Sequence, residues 1–239
     1  MVTIVSSWNA AGASLYGDRF IKQFADSWSH EVKCILYLEG LNAVSPRLPP
    51  NMLARPFENV GWSEFGMQLQ NRRRFHGFKT DDGELYRYRW DAVKFSKKVF
   101  ALAHVADHID DDLLIWLDGD TIVRPGKTVD AEWLRSICYG AHINYLGREK
   151  PHSETSFMSF DRAAAKTFPA EMRAVYTTMI FADSNLGWTD SDVFDATRHG
   201  SFFKFRDLTV GKPTGAVFER SRLGERLEHL KGARKETHK

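Results

Sequence analysis

Apolar runs of strand length alternate with helical stretches along the first half of the chain. Residues 2–7 are β-branched or small, and residues 32–38 form a second apolar run after a predicted helix from Leu15 to Ser29. Apolar residues recur at helical spacing after Asp91, which is a predicted N-cap. Residues 113–117 then form a continuous apolar run. This alternation predicts an α/β fold with a mostly parallel central sheet flanked by helices.

The remaining stretches predict shorter elements, loops and a charged end. Regular structure is expected at five further places: strands near 141–146 and 156–160, and helices around 161–176, 189–198 and 219–230. The Trp8–Gly12 stretch predicts a ligand-facing turn after the first strand, and the Pro-rich stretch from Ser45 to Pro56 predicts a loop. We therefore expect one domain over residues 1–239, with an irregular excursion at about 57–90 and a basic tail at about 229–239.

Composition narrows the class of protein without naming a partner. The chain has 239 residues, of which 43% are hydrophobic and 27% charged, and its net charge is only +2, which does not demand nucleic acid. No apolar run reaches the roughly 20 residues that span a bilayer, and Ser6 and Ser7 interrupt any signal-peptide pattern. We expect a cytoplasmic protein without a transmembrane segment. Cys34 and Cys138 lack paired spacing, which favours buried reduced thiols.

The most informative motif follows the apolar run at 113–117. Asp118, Gly119 and Asp120 come directly after it, and two carboxylates at the end of a buried strand repel each other unless a counter-charge is present. Mn²⁺ or Mg²⁺ takes oxygen ligands and can bridge the phosphates of a nucleotide, which α/β folds bind at the open ends of parallel strands. Gly119 would let a bulky ligand approach the backbone. An Asp-x-Asp also ends many strands in an ordinary turn, so the motif alone leaves both interpretations open.

Two segments resemble a known group of enzymes. Residues 114–123, Leu-Ile-Trp-Leu-Asp-Gly-Asp-Thr-Ile-Val, resemble the Asp-x-Asp element of nucleotide-sugar glycosyltransferases of GT-A fold. The His229–Lys235 segment is similar to the His-x-x-Gly-x-x-Lys pattern of the retaining family that includes glycogenin and bacterial lipopolysaccharide galactosyltransferases. That family usually continues with Pro-Trp, whereas this chain continues with Glu236 and Thr237.

The resemblance implies roles for the residues of both motifs. Asp118, Asp120 and His229 would hold the divalent cation. Gly232 would let the backbone close on the donor diphosphate, and Lys235 would neutralise its charge. The donor would be a nucleotide-diphosphate sugar, with a UDP-hexose favoured, and the sugar would be transferred with retention. Each of these assignments rests on the resemblance.

Weaker candidates surround this predicted centre. Trp8 offers a stacking face and Asn9 offers amide hydrogen bonds where related enzymes hold the nucleoside base, although a buried Trp and a turn Asn explain them equally well. Lys94 and Lys98 lie one turn apart on the helix before the Asp-x-Asp strand and are candidates for the donor diphosphate or ribose. A solvated helix face is the alternative for both lysines, and it is favoured slightly more for Lys98 than for Lys94.

Two polar segments are candidates for the sugar and acceptor side. The His152–Ser156 segment, which contains Glu154, and the Trp188–Asp192 segment both gather hydrogen-bonding groups. If the reaction inverts the anomeric centre, Asp190 or Asp192 is a candidate general base, since a carboxylate within hydrogen-bond reach of the acceptor suffices. Asp190 could instead cap a helix.

The sequence therefore predicts a metal-dependent glycosyltransferase of hexosyl type, and the acceptor remains open between saccharides, other hydroxyl-bearing molecules and a hydroxylated DNA base. A nucleotidyltransferase is the first alternative, but no Gly-rich phosphate loop follows the first strand. A non-catalytic nucleic-acid-binding module is the second alternative. It would use the basic and aromatic residues Arg72, Arg73, Arg74, Phe75, Phe78 and Lys79.

Overall fold

The computed structural model describes residues 1–41, 47–149, 152–183, 187–211 and 213–231. The strands are β1 (Val2–Asn9), β2 (Val32–Glu39), β3 (Met52–Pro56), β4 (Leu113–Leu117), β5 (Thr121–Val123), β6 (Ile143–Leu146), β7 (Glu154–Asp161), β8 (Phe205–Asp207) and β9 (Leu227–His229). The helices are α1 (Ala10–Gly12), α2 (Asp18–Ser27), α3 (Trp62–Leu69), α4 (Ala92–His108), α5 (Ala131–Cys138), α6 (Arg162–Ala165), α7 (Phe168–Thr177), α8 (Ile180–Asp183) and α9 (Asp190–His199). A π-helical turn, Ala13–Gly17, joins α1 to α2.

Seven strands form the central sheet in the order β3-β2-β1-β4-β7-β6-β8. The strands from β3 to β4 run parallel, β7 is antiparallel to both β4 and β6, and β8 is parallel to β6. The predicted fold class, a mostly parallel sheet flanked by helices, is confirmed. The carboxyl ends of β1, β2 and β4 share one edge, where polar loops can meet a ligand.

The sheet is apolar on both faces, as the unbroken hydrophobic runs predict for strands covered by helices. Alternate residues of one strand enter different cores: Ile115 packs with α2 and α5, whereas Leu114 and Trp116 pack with α4, α7 and α9. All five residues of β4 are buried. The burial of β4 fixes the position of the polar residues that follow it.

Several predicted elements are confirmed. Asp91 is the N-cap of α4, since its Oδ1 accepts a hydrogen bond of 2.9 Å from the Lys94 backbone N–H. The strands near 141–146 and 156–160 correspond to β6 and β7, and the helix near 189–198 corresponds to α9. Within the described residues, both cysteines are buried free thiols and no helix is long and apolar enough to cross a membrane.

The first predicted turn is wrong. Strand β1 continues to Asn9, whose Oδ1 accepts a hydrogen bond of 3.0 Å from the Gly12 backbone N–H and caps α1. Helical structure therefore begins at Ala10 rather than at Leu15. Asn is a preferred N-cap residue because its short side chain reaches the first free amides of a helix.

Three further predictions need correction. The predicted loop from Ser45 to Pro56 lies partly outside the described residues, but Met52–Pro56 is strand β3, because β2 offers it a parallel partner. The excursion at 57–90 contains α3 and is only partly irregular. The helix predicted at 219–230 is replaced by a short 3₁₀ turn, Arg222–Glu225, and by β9. In β9 burial alternates along the strand, because its buried residues pack inward beside β5.

Candidate metal centre

A tight turn after β4 presents the two aspartates of the Asp-x-Asp motif. The Thr121 backbone N–H donates a 3.0 Å hydrogen bond to the Asp118 carbonyl, and the Asp118 N–H donates one of the same length to the Ser156 carbonyl on β7. A Cβ on Gly119 would lie 3.0 Å from ring carbons of both Trp8 and Tyr16. A side chain at position 119 would therefore press on two of the chain's own aromatic rings, whatever a ligand adds.

The third residue of the centre, His229, lies on a separate two-stranded sheet. Strands β5 and β9 pair antiparallel with Thr121 opposite His229, and the Leu230 N–H donates a 3.1 Å hydrogen bond to the Asp120 carbonyl. The His229 Nε2 then lies 2.9 Å from Asp120 Oδ1 and 3.8 Å from Asp118 Oδ2. Residues 109 positions apart in sequence are thus brought together by backbone pairing, which depends little on side-chain rotamers.

The donor set of these three residues suits a hard divalent cation. One ligand atom from each of Asp118, Asp120 and His229 lies within 4.8 Å of the other two. Two carboxylates with one imidazole leave positions open, as Mn²⁺ or Mg²⁺ requires if it is also to bind phosphate oxygens. Asp120 and His229 are buried, whereas Asp118 is partly exposed toward the neighbouring cavity.

A cavity of about 240 Å³ adjoins the centre and contains most of the predicted donor-binding residues. The candidates Trp8, Asn9, Lys94, Lys98 and Gly119 all line it. Trp8 is buried and packs edge-on against neighbouring rings. A base could therefore stack on it only if the side chain moved. The Lys94 side chain is exposed at the rim.

Lys98 connects the metal centre to the second acidic segment. Its Nζ lies 3.0 Å from Asp118 Oδ1 and 2.6 Å from Asp190 Oδ2, and it donates a 3.0 Å hydrogen bond to the Thr155 carbonyl. Burial lowers the pKa of Lys98, but the opposing effect of Asp118 and Asp190 is greater and holds its pKa above the ordinary value. The Thr155 hydroxyl donates a 2.6 Å hydrogen bond to the same Asp190 oxygen. Lys98 therefore stays positively charged at the floor of the site.

The three candidate catalytic carboxylates have different environments. Asp190 is the first residue of α9 rather than its cap, because Thr189 is the N-cap. Asp192 completes a capping box, and the Thr189 hydroxyl donates a 2.6 Å hydrogen bond to its Oδ2. Glu154 is buried and forms ion pairs with Arg148 and Lys231. Asp190 is linked through Lys98 to the metal ligand Asp118, whereas Asp192 caps the start of α9.

Sequence reasoning missed several residues at this site. Glu39 ends β2 beside Asn9, accepts a 2.9 Å hydrogen bond from Ser7 Oγ and lies 3.0 Å from Lys97 Nζ. Its position at the carboxyl end of a parallel strand was the signal that could have found it. Tyr16 also lines the cavity, and burial together with Asp120 and Asp118 raises its pKa.

Lys231 is a further residue that the motif pattern did not single out. Burial and the nearby Arg148 lower its pKa to about 8, against the opposing effect of Asp118 and Asp120. It follows His229 by two residues, and its ammonium forms an ion pair with Glu154. The predicted phosphate-binding residues Gly232 and Lys235 lie outside the described residues.

Solved structures share this architecture. An active-site variant of LgtC is 12% identical, with a TM-score of 0.51 over 97% of this chain and 88% of that chain. The bifunctional glycosyltransferase WbbM is 12% identical, with a TM-score of 0.50 over 97% of this chain and 46% of that chain. The chain has the GT-A fold. The GT-A fold that the motif resemblance implied is confirmed, and this chain spans less than half the length of WbbM.

The likeness is confined to structure. Mouse xyloside xylosyltransferase 1 is 9% identical, with a TM-score of 0.49 over 87% of this chain and 85% of that chain. No protein-family model and no curated protein sequence matches the chain. At such low identities the comparisons establish the fold, and activity has to be argued from the site.

Proposed function

We propose that the protein is a metal-dependent glycosyltransferase that moves a hexose from a nucleotide diphosphate, with UDP favoured, to an acceptor hydroxyl. The observation that carries the proposal is the convergence of Asp118, Asp120 and His229 beside a cavity lined by lysines, at the carboxyl edge of a GT-A sheet. The choice of a UDP-hexose as donor rests on the resemblance of the two motifs to their family.

The cation, Mn²⁺ or Mg²⁺, would stabilise the negative charge that develops on the leaving diphosphate. Lys98 and Lys94, which line the same cavity, would add positive charge there. Asn9 and Glu39, at adjacent strand ends, would bind the nucleoside. The acceptor oxygen would bond to the anomeric carbon as the bond between that carbon and the diphosphate oxygen breaks. The acceptor proton would leave with the diphosphate or pass to solvent.

We include retention in the proposal because a retaining transfer needs no free carboxylate of the protein to act as a base. Asp190, Asp192 and Glu154 all have hydrogen-bond or ion-pair partners supplied by the chain. Asp190 is the carboxylate nearest to the metal ligands through Lys98, so it would orient the donor sugar or the acceptor hydroxyl. Glu154 would bind sugar hydroxyls at the mouth, next to Lys231.

The test is hydrolysis of a panel of nucleotide-sugars in the presence of Mn²⁺, Mg²⁺ or EDTA. Wild-type protein should release a nucleoside diphosphate from one donor only when metal is present, and Asp120→Asn and His229→Ala should lose that release. Asp26→Asn and His30→Ala change the same residue types on the exposed surface and should behave as wild type. Proton NMR of the first product would report its anomeric configuration.

The proposal fails if no donor is hydrolysed and no donor with Mn²⁺ raises the melting temperature. Release of pyrophosphate instead of a nucleoside diphosphate would point to nucleotidyl transfer. An inverted first product would leave the transferase standing and overturn retention, and it would return the role of base to Asp190.

A further inference from the structure

A surface of arginines and aromatic rings lies beside the cavity, and the proposed donor chemistry does not use it. It is built from the segment between α3 and α4, and we call it the arginine-aromatic surface. Its exposed or partly exposed members are Arg72, Arg73, Arg74, Lys79, Tyr86, Arg87, Tyr88 and Arg89. Within the described part of the chain, none of these basic side chains forms an ion pair, although Asp81, Asp82 and Glu84 lie in the same segment.

The arginines are held by rings instead of carboxylates. Arg73 lies 4.3 Å from the centroid of Phe78, and Arg72 and Arg74 lie 5.0 and 4.7 Å from that of Phe75. Stacking on a ring restrains a guanidinium while its N–H groups stay available at the edge. Such a guanidinium is arranged to bind the oxygens of an anion.

Hydrogen bonds of the backbone join the two parts of this segment, residues 72–79 and residues 86–90. The Gly77 N–H donates a 3.0 Å hydrogen bond to the Trp90 carbonyl, and the Arg87 N–H donates one of 2.6 Å to the Gly77 carbonyl. Gly77 has a φ of 94°, and a Cβ there would lie 2.0 Å from the ring of Tyr86. These contacts place the chain at Gly77 beside Arg87 and against the ring of the exposed Tyr86.

This surface is continuous with the catalytic site. The Trp188 N–H donates a 2.9 Å hydrogen bond to the Arg89 carbonyl, and Trp188 precedes Asp190 by two residues. The ring of Tyr88 packs against Phe95, 6.4 Å between centroids, and Phe95 lines the same cavity as Asp118. Tyr88 is 58% exposed, so most of its ring is open to a ligand. A polymer bound here would pass the mouth of the cavity.

We propose that the arginine-aromatic surface binds single-stranded nucleic acid and presents it as the acceptor. Guanidinium groups would bind successive phosphates, and the exposed rings of Tyr86 and Tyr88 would stack on unpaired bases, which a duplex keeps inside. The inference rests on the proposed function for its chemical step. In that step a hydroxyl oxygen of the nucleic acid bonds to the anomeric carbon, the bond to the diphosphate breaks, and the hydroxyl proton is released.

The binding test uses fluorescence anisotropy with a labelled single-stranded DNA and an RNA of the same sequence. The double variant Arg72→Ala/Arg73→Ala should weaken binding and reduce the slope of log affinity against log salt by about 1.4, roughly 0.7 per phosphate contact. Tyr88→Ala should weaken binding roughly 5- to 100-fold and leave that slope unchanged, because stacking releases no counterions.

The control variant is Lys33→Ala/Lys127→Ala, which removes two exposed cations elsewhere on the molecule. It should bind as wild type. Equal loss in this control, or no effect of Tyr88→Ala, would overturn the inference and indicate non-specific attraction. Equal or tighter binding to a sulfated glycan or to anionic lipid vesicles, insensitive to Tyr88→Ala, would assign the surface to those partners instead.

Transfer is then measured by mass spectrometry with RNA and with DNA that carries hydroxymethylated pyrimidines. A sugar-sized mass increase, lost in Arg72→Ala/Arg73→Ala and kept in the control, is the expected result. Donor hydrolysis without oligonucleotide binding would overturn this inference and leave the proposed function intact. Oligonucleotide binding without hydrolysis of any donor would overturn the proposed function and keep only the binding surface.

Discussion

Two of the Asp-x-Asp motifs in this chain lie in different backbone settings. Asp118 and Asp120 follow a buried strand, and both lie beside His229. Asp190 and Asp192 begin a helix, where only Asp190 points toward Lys98 while Asp192 is engaged by the N-cap Thr189. The sequence pattern is the same in both, and the backbone that carries it decides which carboxylates converge.

The difference shows what makes an acidic pair a metal site. After a strand, a tight turn can aim both side chains at one point, and a third ligand can be supplied by a neighbouring ladder. At a helix N-terminus the amides of the first turn compete for the carboxylates, and successive side chains point about 100° apart. Lys98 lies between the two motifs and pairs with a carboxylate of each. Variants of Lys98 can therefore test whether the two motifs have different roles.

Replacement of Lys98 by Met should have the largest effect on stability. The variant leaves Asp118 and Asp190 without their shared counter-charge, and breaking a buried pair costs about 3–5 kcal/mol of unfolding free energy. Because the pKa of Lys98 is raised above its ordinary 10.5, the stabilisation is fully present below that value and is lost only as pH rises through the higher folded pKa. Urea denaturation should therefore give the same loss at about pH 7 and about pH 9.

A second variant distinguishes charge from packing. Adding Asp190→Asn to Lys98→Met makes the buried acid neutral and should restore part of the lost stability, without restoring donor hydrolysis. If Asp190→Asn restores nothing, Lys98 stabilises the fold through its aliphatic chain and its contact with Trp116 rather than through the ion pair.

Metal addition should give the next largest effect, and only at the first motif. A ligand present at about 100 times its Kd raises the unfolding free energy by about 2.7 kcal/mol. Mn²⁺ should therefore raise the melting temperature of wild type and of Asp192→Asn, and EDTA should reverse it. Asp120→Asn should show no such shift. A shift that survives Asp120→Asn but disappears with Asp192→Asn would move the metal site to α9.

Much of the first motif's setting could be predicted from sequence, because the apolar run at 113–117 is buried on both faces and continuous hydrophobicity is typical of such strands. The N-cap at Asp91 was equally readable, since capping chemistry is local. Strand β9 could not be predicted, because three residues carry too little periodicity and their partners in β5 lie 104 to 108 positions away. His229 could be proposed as a ligand only through the resemblance of its motif.

The ion pairs of Lys98 with Asp118 and Asp190 could not be predicted from the sequence. A solvated face was favoured slightly more for Lys98 than for Lys94, and this prediction is wrong: Lys94 is exposed, whereas Lys98 is mostly buried between two acids. What separates them is the packing of α4 against β7 and α9, which is a tertiary property. Asp192 is a different case, because the spacing of Thr189 and Asp192 is that of a capping box and was readable from sequence, whereas capping was considered only for Asp190.

The smallest expected effect is that of Asp192→Ala, and it sharpens the comparison most. Loss of the reciprocal capping bond should lower the unfolding free energy by about 1 kcal/mol, within the range for helix caps. Asp192→Asn keeps an acceptor oxygen for the Thr189 hydroxyl and should recover most of that loss, as urea denaturation would show. Donor hydrolysis at a temperature where both variants are folded should remain near wild type. A large fall in turnover in both variants, with their stability little changed, would mean that the Asp192 carboxylate acts on the substrate, and the second motif would then be as much a part of the chemistry as the first.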